Sequence, residues 1–366
     1  NGVGIRIDGA GGGNTVAACH IGLNNAGGAS GNGGSGVFIA ASPNNVIGPS
    51  NTIAGNGVDG VRIDAAAATG NVVAGNRIGT NPAGTAAIPN GYNGVVITAA
   101  SNNRIGGTTA ADLNVISGNT RNGIGIGGGA SGNLVERNYI GLAADGASAL
   151  GNGWNGVYII DSPSNKIGGD VTGTWNIISA NGYNGVELFG DGADGNIIQR
   201  DIIGSDLFGT LDRGNGAYGI QIDAGDAVVI GGGAWTQGGN LIAANGSGGI
   251  HLMNAADDIL MRGNRIGSDY SGTAELGSGG NGVFVEDSAR TVIGTTAEPN
   301  LISGHASGYG VYLWATTAAR VVANLIGTTA NGTSALPNQS GVVLGNFSTQ
   351  NTIGGTGSAR NIISGN

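Results

Sequence analysis

The chain has 366 residues, 78 of them glycine, with 40% hydrophobic and only 10% charged residues. Seven prolines cannot support collagen triplets, the apolar fraction is too high for a disordered chain, and no run of about 18 apolar residues is present to cross a membrane. The net charge of −9 comes from 14 basic residues, of which Lys166 is the one lysine, against 23 acidic ones. Such a balance argues against a nucleic-acid partner, which needs a basic face, and against an anionic membrane surface. The lone Cys19 cannot form an internal disulfide. A chain starting at Asn1 rather than methionine reads as a processed piece that has lost any targeting segment.

Two phrases recur along the chain. N-x-I-x-G/A-N/H begins at Asn51, Asn114, Asn176, Asn240, Asn300 and Asn361, in steps of 63, 62, 64, 60 and 61. Ile-Gly followed by a loop falls at Ile21, Ile78, Ile140, Ile203, Ile266 and Ile326, in steps of 57, 62, 63, 63 and 60. Each unit of this period divides again, because a tetrad of Gly, an aliphatic residue, any residue and an aliphatic residue occurs twice within it. Merged, the tetrads start at Gly4, Gly36, Gly60, Gly94, Gly123, Gly156, Gly185, Gly219, Gly249, Gly282, Gly310 and Gly341. Two shorter β-branched stretches follow each tetrad, as Val72–Val73 and Arg77–Ile78 follow Gly60–Ile63.

Strands this short alternate inward and outward side chains, and three of them bury an inner face only by stacking on neighbouring sets. Helical segments between strands and four-stranded blades are both missing from the pattern, which removes α/β folds and propellers. The expected architecture is all-β: a right-handed parallel β-helix of about 12 coils with a double-coil repeat, residues 1–366 forming a single solenoid domain. Turn asparagines should form ladders between coils. One ladder is expected at Asn56, Asn119, Asn181 and Asn245, broken by His305 and resumed at Asn366, the other at Asn76, Asn138, Asp201, Asn264 and Asn324 with Cys19 in the first position. Glycine is expected at the corners for its positive φ.

The phrases Asn76–Thr80, Gly84–Asn90, Asn93–Ile97, Asn103–Gly107 and Asn114–Asn119 resemble the repeats of right-handed parallel β-helix proteins of the large bacterial secreted or surface-anchored type. The resemblance covers the whole chain. It implies an extracellular or cell-surface location and a structural role. Other β-helix families are pectate lyases, polygalacturonases and alginate-modifying enzymes. The Gly-His-Gly signature of polygalacturonases has no counterpart, the nearest phrase being Gly304-His305-Ala306 in a ladder position, so no catalytic residue is carried over.

The tetrad face is where singly placed groups would act. Glu187, Asp223, His251 and Glu286 stand outward on four successive coils, flanked by Phe189, Phe284, Tyr312 and Trp314. Asp223 and Glu286 fall in one column two coils apart, near the separation that lets an inverting glycosidase place a water between its carboxyls. These four residues are the candidate catalytic set, set against an ordinary solvated sheet face. Tyr312, Trp314, Phe284 and Trp154 are candidate glycan contacts, Trp154 lying with Tyr92, Phe208 and Tyr270 in the long loops after Ile-Gly. The early Arg6/Asp8 and Arg62/Asp64 pairs read as repeat drift. No cofactor is implied. The three histidines, His20, His251 and His305, fall on different coils and faces and offer no zinc cluster, while Gly190–Asp194 and Ser205–Asp212 offer oxygens to calcium without the fixed spacing of a calcium-binding β-roll.

The function expected first is a structural rod, surface stalk, adhesin or filament subunit, stacking end to end on itself or on further repeats. A polysaccharide lyase or hydrolase working on the flat face is the alternative. A non-catalytic glycan-binding module comes next.

Overall fold

The structure, a computed structural model, describes residues 2–169, 171–232 and 239–366. It divides into two compact units, Asn1–Tyr183 and Asn184–Asn366. Each unit is a β-solenoid made of six triplets of short strands, one strand per triplet in each of three parallel sheets. Sheet A carries the tetrads, in strands such as Val61–Asp64 and Val157–Ile160 of unit 1 and Tyr218–Asp223 and Tyr309–Trp314 of unit 2. Sheets B and C hold mostly two-residue strands such as Val72–Val73 and Arg77–Ile78.

Register explains the spacing of the repeat. Val61, Val95 and Ile124 pair in parallel, as do Ile63, Ile97 and Ile126, and all six side chains are buried. Between them Arg62, Val96 and Gly125 form an outward column. Alternation thus places two aliphatic stripes inside and two columns outside, the second running Asp64, Thr98 and Gly127. Sheets B and C add Ile47, Val73 and Ile105, and Ile53, Ile78 and Ile116, to the same interior.

The corners are held by asparagine. In unit 1 three continuous series run one residue per coil: Asn14–Asn45–Asn71–Asn103–Asn133–Asn165, Cys19–Asn51–Asn76–Asn114–Asn138–Asn176, and Asn32–Asn56–Asn90–Asn119–Asn152–Asn181. The two expected ladders were therefore only half seen. Their members lie two coils apart, and the partner one coil away comes from the other phrase, as Asn90 does between Asn56 and Asn119. Asn114 shows what each rung does. Its Oδ1 accepts from the backbone N–H of Asn76 at 2.9 Å and from Asn76 Nδ2 at 3.1 Å. Its Nδ2 donates to the Val73 carbonyl at 2.8 Å and to Asn138 Oδ1 at 2.9 Å. Every hydrogen-bonding capacity of a fully buried amide is used, which is why burying it is tolerable. Cys19 heads its series with its N–H donating to Asn51 Oδ1, and its side chain is partly exposed.

The expected role of glycine divides in two. Gly79 has φ +87°, and a Cβ there would also strike the Ser117 carbonyl and Asn119 Oδ1. The tetrad glycines differ: Gly60 has ordinary φ, and a Cβ would lie 2.6 Å from both the Gly94 carbonyl and Ile78 Cγ2. Space, not backbone conformation, demands glycine there. Several positive-φ corner positions are instead taken by alanine or asparagine, such as Ala65, Ala99 and Asn102.

The loops after Ile-Gly are closed hairpins. Thr80 bridges Ala87 and Ser268 bridges Glu275, both antiparallel, and an Asn or Asp seals each turn: Asn81 Oδ1 accepts from the N–H of Thr85, and Asp269 Oδ1 from that of Thr273. Within each unit these hairpins touch although they belong to alternate coils. Ala144 N–H donates to the Gly84 carbonyl in unit 1, and Tyr270 N–H to the Gly209 carbonyl in unit 2.

Candidate functional site

The outward residues of sheet A in unit 2 lie in two columns. One runs Glu187, Gln221, His251, Phe284, Tyr312, Val343 and the other Phe189, Asp223, Met253, Glu286, Trp314, Gly345. Asp223 and Glu286 share a column with Met253 between them. At the usual inter-strand spacing their backbones are about 9.6 Å apart.

His251 links the two columns. Its Nε2–H donates to Glu286 Oε2 at 3.0 Å, and an ionised carboxylate only accepts, so the proton sits on Nε2. Nδ1 is buried without a hydrogen-bond partner. The side chain is almost wholly covered, and burial holds the imidazole below its ordinary pKa while Glu286 pulls the other way. The other carboxylates are also held: Asn254 Nδ2 donates to Asp223 Oδ1 at 2.8 Å, and Asn184 Nδ2 to Glu187 Oε2 at 3.1 Å.

The rings are organised by the coil stack, whose step is about 4.8 Å. Tyr218 packs on His251 with centroids 4.8 Å apart, His251 on Phe284 at 4.7 Å with planes 1° apart, and Phe284 on Tyr312 at 5.0 Å and 11°. A ring in such a column gives its faces to its neighbours and turns its edge outward. Phe284 and Tyr312, both candidate glycan contacts, stand in this column. Two rings escape the column. Tyr309 and Trp314 stand at 78° and 75° to Tyr312, so their planes turn across the column. Tyr309 was missed from sequence because it precedes the tetrad glycine Gly310, where the sheet A strand is six residues long rather than four. The signal was present as an aromatic residue directly before the glycine, at Tyr218 and Tyr309.

Trp154 belongs to unit 1. Its backbone N–H donates to the Arg121 carbonyl, and that of Arg121 to the Tyr92 carbonyl. The Arg121 guanidinium lies 4.1 Å from the Tyr92 ring centroid and 4.8 Å from that of Trp154, a cation–π sandwich. Trp154 thus belongs to a corner column, while Phe208 and Tyr270 sit on hairpins of unit 2 and are well exposed. The Arg6 and Arg62 positions read as drift also have a partner, for both guanidinia lie over the Phe38 ring, at 4.9 and 5.8 Å. Among the described residues no group of three or more His, Cys, Asp or Glu side chains is placed to hold a metal ion. Asp206, one of the calcium candidates, spends Oδ1 on the N–H groups of Thr210 and Leu211. Asp194 receives the N–H of Asp226.

Three parallel sheets wound coil upon coil around an aliphatic interior define a right-handed parallel β-helix protein. Residues 145–326 match the family model described as a right handed beta helix region. No curated protein sequence matches the chain. Among solved structures it is similar to the A-module of the Azotobacter vinelandii mannuronan C-5 epimerase AlgE6, at 15% identity over 94% of this chain and 88% of that one, TM-score 0.49. It is also similar to the Dettilon tailspike protein gp208, at 15% identity over 93% and 53%, TM-score 0.45. A third is the periplasmic alginate epimerase AlgG, at 14% identity over 87% and 72%, TM-score 0.38. Among the described residues no helix is long and apolar enough to cross a membrane.

Proposed function

We propose that this chain is a structural β-helix of an extracellular or cell-surface protein, and that the sheet A face of unit 2 binds polysaccharide. The observation that carries the reading is the group Tyr309, Tyr312 and Trp314 on one strand, two rings turned across the stacked column and half-buried, with the Glu286 carboxylate paired in register to Trp314. Ring faces take the apolar face of a sugar, and fixed carboxylates accept from its hydroxyls. Binding to a panel of soluble polysaccharides, followed by affinity electrophoresis, tests this. Trp314→Ala should weaken the retained polymer about tenfold. Equal retardation of wild type and Trp314→Ala would remove the reading.

A second reading, hydrolysis or lyase cleavage of the bound polymer, is favoured by the Asp223 and Glu286 column, whose backbones, about 9.6 Å apart, leave the carboxyls within reach of the ~6.5–9.5 Å separation of inverting glycosidases. Glu187 and His251 complete that candidate set. Release of reducing ends that disappears in Asp223→Asn would support it, and unchanged release would end it. Residues 1–366 acting as one solenoid, and end-to-end contact with further repeats or a second copy, belong to the same proposal. Electron imaging of the native material for filaments or stalks is their test.

A further inference from the structure

Resting on the glycan-binding reading, we infer that the unit 2 face takes a polysaccharide bearing ammonium groups, such as an amino-sugar polymer, and rejects polyuronates. Charge and ring geometry both point there. The outward positions of its six strands carry Glu187, Asp223 and Glu286 and not one lysine or arginine. Two of the cations elsewhere in unit 2 are engaged by other acids: Arg290 holds Asp257 and Asp258, and Arg262 holds Glu298. A polymer with a carboxylate on every sugar would set like charges against Asp223 and Glu286 with no counter-charge among those outward positions, and repulsion of that kind is how binding sites exclude a wrong partner.

An ammonium-bearing sugar fits the same atoms. Glu286 keeps one carboxylate oxygen on His251, leaving the other for a cation. Trp314 pairs in register with Glu286, and an indole face attracts an ammonium group as well as a sugar ring. Asp223, held by Asn254, lies in the same column and offers a second anchor two coils along. His251, with Nδ1 buried and unpartnered, stays neutral at pH 7 and adds no positive charge.

Calorimetry on the intact chain with three oligosaccharides of equal length, a glucosamine oligomer, a neutral β-glucan and a galacturonate oligomer, tests the inference. The expected order is glucosamine, then glucan, then galacturonate, with the first falling as salt rises. Glu286→Gln, which keeps an acceptor for His251, should weaken the glucosamine oligomer about fivefold and leave the glucan within about twofold. Asp8→Asn, an equal charge change in unit 1, should leave both unchanged. Galacturonate binding as tight as glucosamine, or equal losses from Glu286→Gln and Asp8→Asn, would overturn the charge selectivity while leaving glycan binding intact. Binding of none of the three would overturn both.

Discussion

The corner between sheets C and A is built in both units, and only unit 1 builds it without a break. There Asn32 through Asn181 pass an amide hydrogen bond from coil to coil at 2.9–3.0 Å. In unit 2 the series runs from Asn215 to Asn245, reaches Ser278, and meets His305 before resuming at Asn338 and Asn366. His305 is fully buried, its backbone N–H donates to Asn338 Oδ1, and neither ring nitrogen has a partner of ordinary geometry. Unit 2 departs from asparagine at a second corner as well: between sheets A and B the positions in register with Asn196 are the buried Val228, Ile259, Thr291 and Ala319. Between sheets B and C its series continues from Asn240 through Asn264, Asn300 and Asn324 to Asn361.

That contrast can be broken most forcefully in the sound unit. Asn114→Leu would remove the acceptor of the Asn76 N–H and the amide donor to Asn138 Oδ1 and the Val73 carbonyl, a loss on the order of 4 kcal/mol. Chemical denaturation followed by circular dichroism should show a markedly lowered midpoint, and a shift no larger than that of a surface substitution would mean the ladders are ornament. Acid should find the faulty corner next. Burial pulls the His305 pKa to about 4, below the ordinary ~6.5, so the unfolded chain binds the extra proton first. The contribution is full above about pH 6.5 and is lost as pH falls toward 4, on the order of 3 kcal/mol. In His305→Gln this loss should vanish from the pH dependence of stability; a superimposable pH profile would assign acid sensitivity elsewhere.

Gly79→Ala tests the backbone of the sound unit. It forces an unfavourable φ and a clash with Ser117 and Asn119, and should cost about 2–3 kcal/mol by the same denaturation measurement. The smallest change is a repair. His305→Asn restores the amide between Ser278 and Asn338 and should gain about 1 kcal/mol at neutral pH; a loss of stability would mean the ring's packing volume outweighs the missing bonds.

The fold was open to sequence reading because the coil imposes its geometry on every repeat. A two-residue alternation, a glycine where a coil approaches too closely, and an amide at most corners recur whether or not the surface changes. The third ladder, through Asn45, Asn71 and Asn103, was missed because those asparagines precede a varying stretch, Val46-Ile47-Gly48, Val72-Val73-Ala74 and Arg104-Ile105-Gly106. The site was read less completely. Outward columns follow from the alternation, so Asp223 and Glu286 could be aligned from sequence alone. Ring orientation could not, since it depends on what each ring meets one coil away, which set Phe284 edge-out and Trp314 across the stack. The Arg121 sandwich likewise needs Tyr92 and Trp154 to meet at a corner, and spacing along the chain does not announce which face of a ring is turned inward.

The hairpins after Ile-Gly reach across an intervening coil to touch one another, as Ala144 does with Gly84 and Ala330 with Gly272. A gene encoding this chain is therefore free to lengthen or shorten in doubled steps but not in single ones. Losing one coil would leave the amide series with a neighbour for every rung, yet it would bring a hairpin down onto a coil that has none and put every later hairpin out of phase. Duplication and deletion of a whole pair of coils preserve both contacts, and the doubled period written through the sequence is the length at which such an array can be edited without tearing.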